Sequence, residues 1–237
     1  MVSNMEMEMT LPEEVPVMTL PNTAFFPQAL MPLHIFEPRY REMLRDVLSN
    51  NRLFAVAGLN FDDMNSAGPI EPPHRVATVG IVRACQKNDN GTSNLLLQGL
   101  CRVEITRIIS DDPYRRIQVR ALSSQAGGTE LENQILRREL SRLLNLKQKL
   151  VAKGESRPSG CGEMTAFLKT VEDPEAFVDI AAFSLCEDPG LKQRLLETLD
   201  VHRRLELFGE RLRREIELLK LRRKLQGPLT EDQISHN

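Results

Sequence analysis

The feature that most constrains this chain is a change of periodicity near Gly127-Gly128. Before it, Pro, Gly and Asn separate short apolar runs, a pattern typical of β-strands joined by turns. After it, Leu recurs at three- and four-residue spacing with charges between, which is typical of amphipathic helices. We therefore predict an α+β protein with a β-rich subdomain over residues 1–126 and a helical-bundle subdomain over residues 127–237.

In the first subdomain one helix interrupts a series of strands. Pro38 suits the first helical position, and apolar residues then recur at helical spacing until Ser49-Asn50-Asn51. A break near Gly99 indicates a β-bulge. Short turns predict an antiparallel, partly closed sheet, because parallel neighbours need crossover connections. The predicted strands are Val15–Leu20, Ala24–Leu30, Arg52–Leu59, Val76–Gln86, Ser93–Leu100, Arg102–Ile109 and Arg115–Leu122.

The second subdomain carries clear helix signals. Thr129 and Glu132 form the sequence pattern of a capping box, so a helix should begin there, although Lys147 interrupts its apolar stripe. Gly154 to Gly162 should break that helix. Further helix starts are predicted at Asp173-Pro174, at Asp188-Pro189 and at Asp200, the last opening a long helix that stops at Gly227-Pro228.

Charge and composition narrow the function classes. The chain has 31 Lys and Arg against 33 Asp and Glu, a net charge of -2, so the protein as a whole would not attract nucleic acid. Glu residues alternate with the basic residues of the last helix, and Glu210 lies four residues before Arg214, which favours an internally paired, solvated face. These basic residues are Arg211, Arg213, Arg214, Lys220, Arg222, Arg223 and Lys224.

No metal or cofactor site is expected. The four Cys and four His are scattered without ligand spacing, and the Cys are interpreted as free, buried thiols. The first ten residues are rich in Met and Glu, unlike a secretion signal, and no apolar stretch is long enough to cross a bilayer, so we expect a cytosolic location and no membrane partner.

Three segments resemble the amino-terminal domain of Lon proteases, especially its short single-domain bacterial versions. They are Leu20–Tyr40, with Met31-Pro32-Leu33-His34-Ile35-Phe36-Glu37-Pro38-Arg39-Tyr40 as its core, Thr78–Val103, and Leu195–Leu205. The resemblance extends over roughly Thr10 to Lys224. It implies a PUA-like β-barrel with one helix followed by a helical bundle that ends in a long helix. It also implies recognition of unfolded or tagged polypeptides and a part in subunit assembly, while other domains do the chemistry.

The catalytic signatures of that family are missing from this sequence. A phosphate-binding loop needs Gly-Lys followed by Ser or Thr, and the chain has no Gly-Lys pair. Gly162 to Thr170 has Leu168 where the second Gly would stand, so we assign that stretch to a helix. Pro158-Ser159-Gly160 echoes the Ser segment of the protease, but no surrounding sequence resembles its Lys motif, and a Gly-x-Ser-x-Gly elbow is absent.

The leading hypothesis is a non-catalytic polypeptide-recognition module, with an ATPase or protease as a further partner; the oligomeric state stays open. The alternatives are an RNA-binding protein that uses the barrel and a small enzyme with an unrecognised site. Aromatic residues with one Arg are typical of peptide-binding grooves, although aromatic residues of strands and helices more often belong to the core. The candidate peptide-binding residues are Phe25, Phe26, His34, Phe36, Arg39 and Tyr40.

Overall fold

A computed structural model describes residues 11–61, 71–151 and 161–226. Its contacts divide them into two compact units: a β-rich unit up to Ser123 together with Cys186–Glu197, and a helical unit of Ser124–Leu185 and the residues from Thr198 onward. The strands are β1 Glu14–Leu20, β2 Leu30–Ile35, β3 Leu53–Gly58, β4 Val76–Lys87, β5 Ser93–Ser110 and β6 Arg116–Leu122. The helices are α1 Pro38–Ser49, α2 Glu130–Val151, α3 Cys161–Leu168, α4 Pro174–Leu185, α5 Pro189–Glu197 and α6 Val201–Gln226.

The sheet of the β-rich unit closes on itself. Its strand order is β2-β5-β4-β3-β1-β6, and β6 also pairs with β5, so five strands form a barrel, while β2 is attached to β5 and to no other described strand. Alternate residues of the barrel strands point inward, as the two-residue repeat of a strand requires. The resulting core consists of Val15, Val17, Leu53, Ala55, Ala57, Ala77, Val79, Val103, Ile117 and Val119.

The predicted α+β class is confirmed, but the sheet is not wholly antiparallel. Strand β1 pairs with β3 in parallel, with Val17 opposite Ala55 and Leu20 opposite Gly58. The other strand pairings are antiparallel. The connection from β1 to β3 contains β2 and α1. This connection is long enough to return the chain in the same direction, so it meets the crossover requirement of a parallel pair.

Two strand predictions are wrong in detail. Ala24–Leu30 is irregular until Leu30, and Gln28 has a positive φ of 64° that a regular strand does not allow. Ala24, Phe25, Phe26 and Ala29 are buried, which produced a strand-like run in the sequence. Strand β5 is one continuous strand in place of two. The predicted bulge is confirmed, because the register with β4 shifts between Gly99 and Cys101. A side chain at Gly99 would collide with the carbonyl oxygen of Phe26.

Helix α5 belongs to the β-rich unit although it follows most of the helical sequence. The Gln193 amide donates to the main-chain oxygen of Val76 at 3.1 Å, and Leu195 and Leu196 are buried. The division into residues 1–126 and 127–237 stays a prediction, and α5 falls in the second of these ranges while packing with the first unit. Local helix signals do not specify which surface a helix covers, because the strands or helices it packs against can be distant in sequence.

The helical unit confirms the predicted helix starts. Thr129 Oγ1 accepts from the Glu132 amide at 3.3 Å, and Glu132 Oε2 accepts from the Thr129 amide at 2.8 Å, which completes the capping box. Each of the other predicted starts has an Asp whose carboxylate accepts a hydrogen bond from the main-chain N–H three residues further on, namely Asp173, Asp188 and Asp200. Asp188 caps α5, which belongs to the β-rich unit.

Helices α2 and α6 pack along their apolar stripes, with Leu140, Leu144, Leu205, Phe208 and Leu212 buried. The structure also explains the polar interruption of the α2 stripe. Lys147 Nζ lies 2.9 Å from Glu215 Oε2 on α6, so an ion pair replaces an apolar contact at this level. Burial raises the pKa of Glu215, but its hydrogen bonds to Arg211 and Lys147 outweigh that effect and lower the pKa below its ordinary value.

Some predictions fall outside the described residues, namely most of the break at Gly154–Gly162, the Pro158-Ser159-Gly160 stretch and the stop at Gly227-Pro228. The assignment of Gly162 to Thr170 to a helix agrees with α3 as far as Leu168, where the helix ends. In the described part of the chain no helix combines the length and apolarity needed to cross a membrane.

Candidate functional site

The structure separates the six candidate peptide-binding residues into three groups. Phe25 and Phe26, in the irregular segment before β2, are fully buried. The hydroxyl of Thr78 donates to the main-chain oxygen of Phe25 at 2.5 Å, and the guanidinium of Arg102 lies 5.8 Å from the centre of the Phe26 ring. Both phenylalanines are therefore core residues whose rings a ligand does not reach in this conformation.

Tyr40 and Arg39 form the second group, at the start of α1. Tyr40 is buried on the apolar stripe of the helix, and burial raises the pKa of its hydroxyl. The Arg39 guanidinium lies 4.5 Å from the centre of the Tyr40 ring. It also donates two hydrogen bonds to the carboxylate of Glu71, at 2.9 and 3.0 Å, and these bonds raise the pKa of Arg39.

Arg39 and Tyr40 line a cavity of about 240 Å³ in the β-rich unit. Arg115 also lines it, donating to Asp111 Oδ1 and to the main-chain oxygen of Glu71, each at 2.5 Å. The cations and carboxylates of this cavity thus form hydrogen bonds with one another. A ligand entering it would have to displace these bonds, so we interpret the cavity as a structural network that fixes α1.

His34 and Phe36 form the exposed group, at the end of β2. Nδ1 of His34 lies 2.7 Å from Oδ1 of Asn94, and the His34 and Phe36 rings stack with their centres 6.0 Å apart. Along β2, Leu30, Pro32 and His34 face outward because strand side chains alternate, and Phe36 continues the exposed row. Leu30 is 52% exposed and Phe36 is 59% exposed. We call Leu30, Pro32, His34 and Phe36 the β2 surface.

Two buried arginines were not predicted. Arg102 in the β-rich unit donates from Nε to the main-chain oxygen of Leu196 at 3.0 Å. Arg204 in the helical unit lies 2.5 Å from Oδ1 of the buried Asp179. A sequence signal existed for Arg204, because it lies three residues after Val201 and four before Phe208, on the apolar side of α6. Both arginines support the packing and are enclosed by protein.

The basic residues of α6 are partly paired, as predicted. Nε of Arg211 lies 2.6 Å from Glu215, and Arg213 lies 2.7 Å from Glu139 on α2. The pair predicted between Glu210 and Arg214 is wrong. Glu210 lies 3.6 Å from Arg203, an earlier residue on the same helix. Pairs of this kind neutralise part of the positive patch and weaken the case for a phosphate-binding face.

The His, Cys, Asp and Glu side chains of the described residues offer neither a metal site nor an activated thiol. In residues 11–61, 71–151 and 161–226, no group of three or more His, Cys, Asp and Glu side chains has an arrangement that could hold a metal ion. Cys85, Cys101 and Cys186 form no disulfide among the described residues; Cys186 is buried whereas Cys85 and Cys101 are half-buried, so burial of the thiols is less complete than predicted. Burial raises the pKa of Cys101, which keeps its sulfur protonated and weakly nucleophilic.

Comparison with known proteins gives one consistent result. Residues 14–214 match the family model described as the ATP-dependent protease La (LON) substrate-binding domain. A Lon protease of Desulfosudis oleivorans is 30% identical over 225 residues, which cover 94% of this chain and 26% of that protein. The chain therefore spans about a quarter of the length of this curated relative.

Solved structures show the same fold. The N-terminal domain of a Mycobacterium avium complex Lon protease superimposes with a TM-score of 0.63 at 18% identity, covering 84% of this chain and 97% of that domain. A Lon N-terminal domain protein from Xanthomonas campestris gives a TM-score of 0.52 at 19% identity, covering 81% of this chain and 95% of that protein. At these identities the similarity concerns the fold alone.

Proposed function

The chain belongs to the Lon substrate-binding domain family, and on that premise we propose that it binds polypeptides without cleaving them or hydrolysing ATP. The observation that carries the proposal is the extent of the family match, residues 14–214. That model describes a substrate-binding domain, and the protease and ATPase domains of Lon are not among the matches to this chain. The RNA-binding alternative is not favoured, since the matched family is named for the substrates of a protease.

We place the contact with polypeptides at the β2 surface. Leu30 and Phe36 expose apolar side chains at the two ends of the β2 surface, and among the described strands β2 pairs with β5 alone. Pro32 and His34 lie between them, so the four side chains form one exposed row that a polypeptide could contact along its length. Pro32 has no N–H group and so weakens main-chain pairing along this edge, as Pro does on many edge strands. Side-chain contacts with apolar segments therefore support the binding better than addition of a further strand.

The remaining candidate residues take supporting roles in this proposal. Phe25, Phe26 and Tyr40 form the core beneath the sheet, and Arg39 anchors α1 through Glu71. His34 orients the Phe36 ring by stacking and is itself held by Asn94. Only Phe36 and His34 of the six predicted residues would then touch a polypeptide. Leu30 and Pro32 complete the surface.

The experiment measures binding of a permanently unfolded model protein, such as reduced and carboxymethylated lactalbumin, by fluorescence anisotropy. We expect Leu30→Ser with Phe36→Ser to weaken binding about tenfold or more, because apolar anchors dominate such interfaces. The matched control is Leu131→Ser with Ile135→Ser, which removes two exposed apolar side chains from α2 of the helical unit. Circular dichroism verifies that each variant is folded.

Two results would overturn the proposal. One is the absence of binding by the folded native chain. The other is ATP hydrolysis by the purified chain that depends on added unfolded protein. Equal weakening in the β2 variant and in its control would retain polypeptide binding and reject the β2 surface as its location.

We further propose that an ATP-dependent protease of the Lon type acts on the polypeptides bound here. The proposal is supported by the similarity to domains named as parts of Lon proteases. Co-purification of this chain with such a protease in the presence of unfolded protein would test it. If the native chain co-purifies no more of the protease than the β2 variant does, the proposal is contradicted.

A further inference from the structure

A groove on the helical unit differs in charge from the rest of that unit. It has a volume of about 560 Å³ and lies along α2, with one residue from the region following α3. Five of its lining residues are basic, and none of the lining residues that the structure describes is acidic. We call it the α2 groove; it is lined by Arg137, Arg138, Ser141, Arg142, Asn145, Leu146, Lys149 and Lys169.

Four of the five cations have no partner within the described residues. Arg138, Arg142, Lys149 and Lys169 are exposed and form no ion pair there. Arg137 differs, since it donates to the main-chain oxygen of Val171 at 2.9 Å and is held in place. Cations of α6 in the same unit do find carboxylates, as in the pairs of Arg211 and Arg213. The α2 groove thus concentrates uncompensated positive charge.

The helix sets the spacing of these charges. Arg138, Arg142 and Lys149 are four and seven residues apart, which places them on one side of α2. At 1.5 Å per residue they span about 16 Å. An extended chain covers that distance with about five residues. A short linear ligand carrying several negative charges would therefore meet all three side chains at once.

We propose that the α2 groove binds an acidic stretch of a polypeptide. Leu146 lies among the cations with 37% of its surface exposed, and Ser141 and Asn145 offer polar contacts. This mixture suits a peptide, which presents carboxylates, amide groups and apolar side chains together. No aromatic residue lines the described groove, so it lacks the stacking surface on which single-stranded nucleic acid is normally bound.

This inference rests on the proposed function in one respect, because it takes the ligand to be a polypeptide. The groove belongs to the helical unit, and the β2 surface belongs to the β-rich unit. The two proposals therefore use different residues and different chemistry. If the native chain binds unfolded lactalbumin but not the acidic peptide, the groove proposal alone is rejected. If the native chain does not bind lactalbumin, the proposed function is rejected.

The test uses the full chain and a fluorescent decaglutamate peptide, with anisotropy as the readout. We expect the triple variant Arg138→Gln, Arg142→Gln and Lys149→Gln to weaken decaglutamate binding about tenfold or more, since three charge contacts are lost. The matched control is Arg214→Gln, Lys220→Gln and Arg222→Gln on α6, which changes the net charge equally at exposed positions outside the groove. We expect the control to bind within about twofold of the native chain.

Several outcomes overturn the proposal. If the native chain does not bind decaglutamate, the proposal is rejected. Equal weakening in the two triple variants shows non-specific attraction and also removes it. The native chain could also bind a ten-nucleotide oligouridylate more tightly than decaglutamate and lose this binding in the groove variant only. The ligand of the groove would then be nucleic acid and not a polypeptide. Circular dichroism of both variants establishes that any loss comes from the groove and not from unfolding.

Discussion

Each of the two units buries an arginine, but the two cations are accommodated in different ways. Arg204 in the helical unit is fully enclosed and lies 2.5 Å from the buried carboxylate of Asp179. Arg102 in the β-rich unit donates to the main-chain oxygen of Leu196 and lies over the Phe26 ring. Removing Asp179 would leave a buried charge without its nearest carboxylate, whereas removing Arg102 would leave a neutral carbonyl without its donor.

A helical layer and a sheet accommodate the same buried side chain in different ways. In the helical unit Arg204 also donates to the main-chain oxygen of Thr198 and to the hydroxyl of Ser124, so one guanidinium joins α6 to the segments before α2 and before α6. In the β-rich unit Arg102 joins β5 to the carboxyl end of α5. Carbonyls at a helix end lack intrahelical donors, which makes them suitable partners for a buried cation.

The largest expected effect is that of Asp179→Ala. Because a buried cation would lose its closest carboxylate, we expect the free energy of unfolding to fall by about 3–5 kcal/mol. Urea denaturation measures this change, and hydrogen exchange should locate it in α4 and α6. The control is Glu175→Ala, since Glu175 lies 3.5 Å from the same arginine but is 40% exposed, and it should cost about 1 kcal/mol or less. Equal effects in the two variants would contradict the special role of Asp179.

A smaller effect is expected from Arg102→Met in the β-rich unit. The substitution keeps an apolar stem against Phe26 and leaves the Leu196 oxygen without this donor, so we expect a loss of about 1–3 kcal/mol. Urea denaturation again gives the value. Arg120→Met is the matched control, because Arg120 is 69% exposed and pairs with Glu104 on the same sheet. If the Arg102 variant is as stable as this control, the buried guanidinium does not contribute to the free energy of unfolding.

The smallest effect concerns pH and the capping box of α2. Hydrogen bonds from the Thr129 amide and hydroxyl hold the pKa of Glu132 below its ordinary value. The folded state therefore gains stability above the ordinary Glu pKa and loses it as pH falls through the lowered pKa. Thr129→Ala removes the hydroxyl donor, so the pKa of Glu132 measured by carbon-detected NMR should rise toward its ordinary value. An unchanged titration in this variant would show that the hydroxyl plays no part in the shift.

Much of the fold could be predicted because its signals are local. The capping residues Thr129, Asp173 and Asp200 lie within three residues of the amides they bind, so their pattern is readable from the sequence. Strand alternation predicted β4 and β6 nearly to their ends. The prediction for Ala24–Leu30 was wrong because burial of an irregular segment and burial of a strand give the same apolar run.

The candidate site could be predicted only in part. The choice of the segment from His34 to Tyr40 as a binding site stays a prediction, and exposure divides the segment, with Tyr40 in the core and Phe36 on the surface. The α2 groove was not predicted, because its cations look like an ordinary solvated helix face until the positions of carboxylates on other helices are known.

Residue types at short, fixed spacings were sufficient to predict the two kinds of secondary structure, the helix starts and the family. Tertiary structure decided which strands are neighbours, that β1 and β3 run parallel, that α5 joins the β-rich unit, and which charges find partners. The physical reason is separation along the chain. Arg102 and Leu196, or Asp179 and Arg204, meet only when the fold has brought distant segments together, and no local pattern specifies that distance.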